Sequence, residues 1–231
     1  MPEGRDLYER KEGLLNDNKI EQVSYEKIGS QIFVWISACF MVLGFFLGYA
    51  FPSGFRAVLT PSLRHVVEIV DQTKAAHSWA FTFLQIFLNN AWVAVMFVGL
   101  GFLFGIYPVI ALWMNGLLIG FVANLSSNQL HVPVWKMLLY GIAPHGIFEL
   151  SAFIWAGGVG IANGFAVLMA IRSLISRESA LKPVRRSQGP LAVAVRRSLR
   201  SLPYIIGLLL VAALVESSLT PMLIRWGIHH A

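Results

Sequence analysis

Residues 144–149 read Pro144-His145-Gly146-Ile147-Phe148-Glu149, in the middle of an apolar stretch running from Val134 to Ser176. Proline lacks a backbone donor and its ring clashes with the preceding turn, so a helix reaching Pro144 is expected to kink or stop. Proline also suits the first turn of a new helix. On such a helix His145 and Glu149 are four residues apart and share one face. Ionisable groups at membrane depth are costly unless they are paired, hydrated or enclosed by protein. The rest of the sequence can be read as the housing for this stretch.

That housing is a membrane protein. Of 231 residues, 56% are hydrophobic and 13% charged, with a mean hydropathy of +0.65. Soluble domains carry about 25% charged residues. The fold class expected is an all-α, polytopic transmembrane helical bundle. It has about five spans, with a six-span reading open, and a broken helix at Pro144. The lone Cys39 lies in an apolar run, so no intrachain disulfide can form. Some thirty polar residues precede the first apolar run, which is not the pattern of a cleavable signal peptide.

Residues 1–30 mix acids and bases without an apolar stripe and read as a polar tail. The bundle is expected over residues 31–226. Its first span runs from about Gln31 to Phe51, where Gly44 and Gly48 form a small-xxx-small pair suited to close helix approach. That pair leaves homo-oligomerisation open. Within the following loop, residues 57–75 read as an amphipathic helix. Thr60 is placed as N-cap and Pro61 in the first turn. Leu63, Val66, Val67 and Val70 lie on one face, with Arg64, Glu68 and Asp71 on the other. This helix suits the membrane surface, the bundle or a partner.

A helical hairpin follows, with spans near Trp79–Phe102 and Tyr107–Leu125. A turn is marked by Gly99, Gly101, Gly105 and Pro108. Asn89 and Asn90 fall inside the first span, Asn115 and Gly116 inside the second; buried amides need partners and should face the bundle. Residues 134–176 exceed one straight span. They read either as a broken span near 134–157 with a shallow helix after it, or as two spans turning at Gly157-Gly158. Residues 173–202 form a basic loop, with Arg177, Lys182, Arg185, Arg186, Arg196, Arg197 and Arg200 against Glu178. This bias places the loop in the cytoplasm. From Pro190 a short amphipathic helix suits the anionic inner leaflet. The last span is expected over Tyr204–Ile224. Five spans then put the N-terminus in the cytoplasm and the C-terminus outside. No aromatics interleave with these arginines, so a nucleic-acid partner is not expected.

His145, Glu149 and Glu216 are the ionisable residues expected at membrane depth. Three readings of them stay open: a structural polar cluster, a proton or ion relay, and a metal site. The metal reading has least support, because there is no HExxH pair and no third ligand at a telling spacing. No metal or other cofactor is therefore expected. No Walker loop, G-x-S-x-G, CxxC or dinucleotide fingerprint occurs, so no catalytic residue is assigned and no enzyme is expected.

Four stretches occur in an order that resembles the stage II sporulation protein M family. They are Phe87-Leu88-Asn89-Asn90, Asn115-Gly116-Leu117-Leu118-Ile119-Gly120, Pro144-His145-Gly146-Ile147-Phe148-Glu149-Leu150 and Ala213-Leu214-Val215-Glu216-Ser217-Ser218-Leu219-Thr220-Pro221. The resemblance covers about residues 30–226 and is most specific at Pro-His-Gly-x-x-Glu. It implies an all-helical protein of the cell inner membrane with no known catalytic activity. In spore-forming relatives it implies a scaffold anchoring peptidoglycan-degrading enzymes, so cell-wall hydrolases and membrane lipids are the partners expected. The matching positions are Asn89, Asn90, Asn115, His145, Glu149 and Glu216, with Gly116, Pro144, Gly146 and Pro221 as structural positions. Two functions follow as expectations: a scaffold that recruits a partner, or a small ion- or proton-coupled transporter or channel.

Overall fold

The computed structural model describes residues 31–76, 78–175 and 189–229. The polar tail 1–30 and the arginine-rich residues 176–188 lie outside them. Every regular element among the described residues is helical, as apolar chains in lipid require when backbone groups must be satisfied internally.

Among the described residues, five helical stretches are long and apolar enough to cross a membrane. They are α1 (Gln31–Ala50), α3 (Trp79–Leu100), α4 (Ile106–Leu130), the continuous run Val134–Ile175 and α7 (Pro190–Ser218). The fourth run joins α5 (Val134–Lys136), a π-helical segment (Met137–Ile142) and α6 (Ala143–Ile175). Two further helices among the described residues are α2 (Pro52–Ala76) and α8 (Thr220–His229).

The irregularity expected at Pro144 is a change of helix type rather than a gap. The π segment ends at Ile142, which puts Pro144 in the first turn of α6. The Ala143 amide donates to the Leu138 carbonyl, five residues back. The wider turn accommodates the proline, and backbone bonding carries on across the junction. The break expected at Pro144 is thus a local widening within one continuous helical run.

The glycines at 157–164 do not turn the chain either. Gly157, Gly158, Gly160 and Gly164 are buried within α6. Small residues in a membrane helix mark a helix contact more often than a break. A Cβ on Gly160 would fall against the Phe97 carbonyl of α3, and one on Gly164 against the backbone of Gly105. The turn between α3 and α4 thus rests directly on α6. Gly105 takes a left-handed conformation there (φ 71°), which glycine adopts without strain.

Two other expectations are corrected. The helix expected over 57–75 starts earlier, at Pro52, and Thr60 is no cap. Its hydroxyl donates to the Arg56 carbonyl at 2.6 Å inside the helix. The contact stripe is Phe55, Leu59 and Leu63, where Leu59 is wholly buried against Leu117 and Phe121 of α4 while Val67 is exposed. The last span starts at Pro190 rather than Tyr204 and ends at Ser218 rather than Ile224. Pro203 lies on an exposed face inside it, where a membrane helix tolerates proline. Ala194, Ser198, Ser201 and Ile205 form the buried stripe that binds the helix start to the bundle. The amphipathic segment from Pro190 is thus the first part of α7.

The Gly44/Gly48 pair interlocks with Gly116/Gly120 of α4. A Cβ on Gly44 or Gly48 would meet the carbonyls of Trp113 or Leu117, and on Gly116 or Gly120 those of Met41 or Phe45. This close face is occupied within the chain and is not left for a second copy. Asn124 continues the α1–α4 seam by donating to the Tyr49 carbonyl at 3.1 Å. The main core lies between α3, α6 and α7, around Phe97, Phe153, Ile205 and Leu209.

Candidate functional site

Glu149 lies 15 residues into the run that begins at Val134, about 20 Å along its axis at 1.5 Å per residue. His145 precedes it by one helical turn, so both project from one face of α6. Glu216 comes from the last turn of α7, just before the chain breaks at Leu219 and starts α8. One nitrogen of His145 and one oxygen from each of Glu149 and Glu216 lie within 4.8 Å of one another, and all three residues are partly buried.

A fourth residue orients the histidine. Thr220 is buried at the first position of α8. Its hydroxyl oxygen stands 3.3 Å from His145 Nδ1 and 3.3 Å from the Val215 carbonyl oxygen. With its proton directed to that carbonyl, the threonine accepts from Nδ1–H, and His145 presents the Nε2 lone pair. Pro221 occupies the first turn of α8, where a missing N–H costs nothing. The helix then lies over the π segment, with Trp226 meeting Tyr140 edge-on at 5.8 Å. Gly146, next to His145 on α6, is buried, with the Ile142 side chain 3.2 Å from where a Cβ would stand.

The other candidates do not join this cluster. Asn89 donates to Asn90 at 3.3 Å, forming a pair of its own on α3. Asn115 is partly buried on α4, and no hydrogen bond links it to the three ionisable residues. A cavity of about 640 Å³ is lined by Gln31, Trp35, Trp155, Gly158 and Arg197, and does not reach them.

The sequence reading missed a second polar centre. Asn163 is completely buried and donates to the Val98 carbonyl (3.1 Å) and to Ser198 Oγ (2.9 Å). Its own oxygen accepts from Arg197 at 3.1 Å. This joins α3, α6 and α7 at the end of the bundle that carries the 101–105 turn. Its signal was present as an asparagine among buried glycines, Gly158 to Gly164, but those glycines were read as breaks.

An all-helical protein with several membrane-spanning segments and a His–Glu–Glu cluster held by α6, α7 and α8 is thus defined. The family described as Stage II sporulation protein M matches residues 37–221, and the chain belongs to that family. The match runs from α1 to Pro221 and so contains every residue of the cluster and Thr220. Searches of curated proteins and of solved structures found no match.

Proposed function

We propose that the protein is a multi-pass scaffold of the cell inner membrane that positions a partner protein and carries out no catalytic step itself. The observation that carries this is α2. It is clamped to α4 through Phe55, Leu59 and Leu63, and turns Val58, Arg64, Val67, Glu68 and Asp71 outward. A long helix held rigidly between two spans, with mixed apolar and charged exposure, is a docking platform rather than a membrane span.

The orientation follows from charge. Arg172, Arg196, Arg197 and Arg200 belong to the end of α6 and the start of α7, which supports reading that end, and the N-terminus with it, as cytoplasmic. The α1-to-α3 connection formed by α2 leaves the opposite end, so its partner is extracytoplasmic. In keeping with the family resemblance, that partner is a cell-wall hydrolase.

A photo-cross-linking residue at Val67 tests this in living cells, with the lipid-facing Ile110 as control. The expected result is one extracytoplasmic protein captured from Val67 and absent from Ile110. Capture of lipid alone, or the same products from both sites, refutes the scaffold. A second reading, a small ion- or proton-coupled transporter, is favoured by the ionisable cluster at membrane depth. A pH-linked flux in liposomes that Glu149→Gln abolishes would select it.

A further inference from the structure

We propose that His145, Glu149 and Glu216 form a binding site for one divalent first-row transition-metal ion, which joins α6 to the α7–α8 corner. This inference stands apart from the scaffold reading and needs no partner protein.

Three observations carry it. The first is the donor set: one imidazole nitrogen and two carboxylate oxygens, contributed by two helices, within 4.8 Å of one another. A metal ion placed among atoms so spaced can reach all three at about 2.0–2.2 Å after small rotamer adjustments. His145 and Glu149 supply the i, i+4 pair. Glu216, 67 positions further along the chain, supplies the third ligand that local spacing does not reveal.

The second is charge. Among the described residues, neither carboxylate receives a hydrogen bond or an ion pair. Two carboxylates close together at membrane depth repel each other and lack the solvation of bulk water. A divalent cation cancels both charges and provides the missing coordination in one step. The set leaves one position of a tetrahedral ion for water.

The third is orientation. Metal-binding histidines commonly give their second ring nitrogen to a fixed acceptor, which sets the tautomer and aims the lone pair. Thr220 holds His145 Nδ1 at 3.3 Å and is itself tied to Val215. The π segment that ends three residues before His145 adds to this, since π turns within α-helices gather at functional positions. Imidazole with carboxylate suits zinc, manganese and iron(II), and the absence of thiolate disfavours copper(I).

The test uses the full-length protein purified in detergent without chelator. Elemental analysis by mass spectrometry should find about one equivalent of a transition metal per chain, and none in Glu149→Gln or Glu216→Gln. Stripping the wild type with chelator should lower its Tm, and adding Zn²⁺ or Mn²⁺ should restore it, with no such response in either variant. This comparison within the wild type keeps the test decisive if a variant folds poorly. Cobalt(II) loading adds a spectroscopic signature: visible bands that change when His145 is replaced by Asn. Wild-type protein without metal and without a Tm response overturns the proposal. So does metal retained equally by a variant lacking all three ligands, which identifies an adventitious ion only.

Discussion

The α6–α7 pair carries a polar cluster towards each end, and the two are built differently. At the Asn163 end every group of the asparagine amide is used: two donors and one acceptor, all within 3.1 Å of their partners. The side chains that meet there are neutral apart from Arg197, and the surrounding glycines let the backbones close in. At the His145 end the groups are titratable, and among the described residues only the histidine has a hydrogen-bond partner, Thr220. The amide at the centre of the first cluster is satisfied in the folded chain; the second has coordination capacity left over. A satisfied polar network fixes helix register. An unsatisfied one at membrane depth calls for a further component.

Substitutions that separate the two clusters sharpen this contrast. The largest effect is expected for Gly160→Leu, which drives a side chain into the Phe97 carbonyl beside Asn163. Overpacking against backbone should cost more than about 3 kcal/mol, seen as loss of the monodisperse peak in size-exclusion chromatography. Asn163→Ala comes next. Three interhelical hydrogen bonds at about 0.6 kcal/mol each give a loss of about 2 kcal/mol, measured by SDS-induced unfolding. Metal would change nothing in that variant's deficit. Glu149→Gln removes one of two close carboxylates that lack bulk solvation, so metal-free stability should be unchanged or raised. Its signature is the loss of the metal-induced rise in Tm. A small gain is expected for Gly207→Ala, between the clusters on α7. Nothing lies within 4 Å of its added Cβ, so removing a helical glycine should stabilise by about 0.5 kcal/mol.

The membrane class and the number of spans were legible because hydropathy acts over twenty residues at a time. The boundaries of α1 and α3 were predicted within two residues for the same reason, and the start of α4 within one, although α4 runs five residues past the expected Leu125. Pro190, Pro203 and the Gly157–Gly164 run misled because their local tendency to break a helix was weighed as in water. In lipid the backbone has no alternative partner, and small residues become contact surface. The pairing of His145 with Glu149 followed from helical periodicity. Their meeting with Glu216 did not, since it depends on how α7 crosses α6, and the part played by Thr220 depends on the corner at Leu219. Asn163 was overlooked because a single amide in an apolar run has no period to betray it. Asn89, Asn90 and Asn115 show the converse: amides matched to one motif set need not share one site.

The α7–α8 corner brings Glu216 and Thr220 to His145, and cysteine cross-linking in native membranes tests this directly. Cys39 is the only cysteine and is exposed, so Cys39→Ser gives a clean background for His145→Cys with Thr220→Cys. A short bis-methanethiosulfonate linker should join the two, giving a linked peptide by mass spectrometry. The control His145→Cys with Leu199→Cys places the second thiol 21 residues back along the chain from Thr220, about 30 Å along a helix, and should give none. Absence of the first link, or equal yield of both, would contradict the arrangement of the cluster.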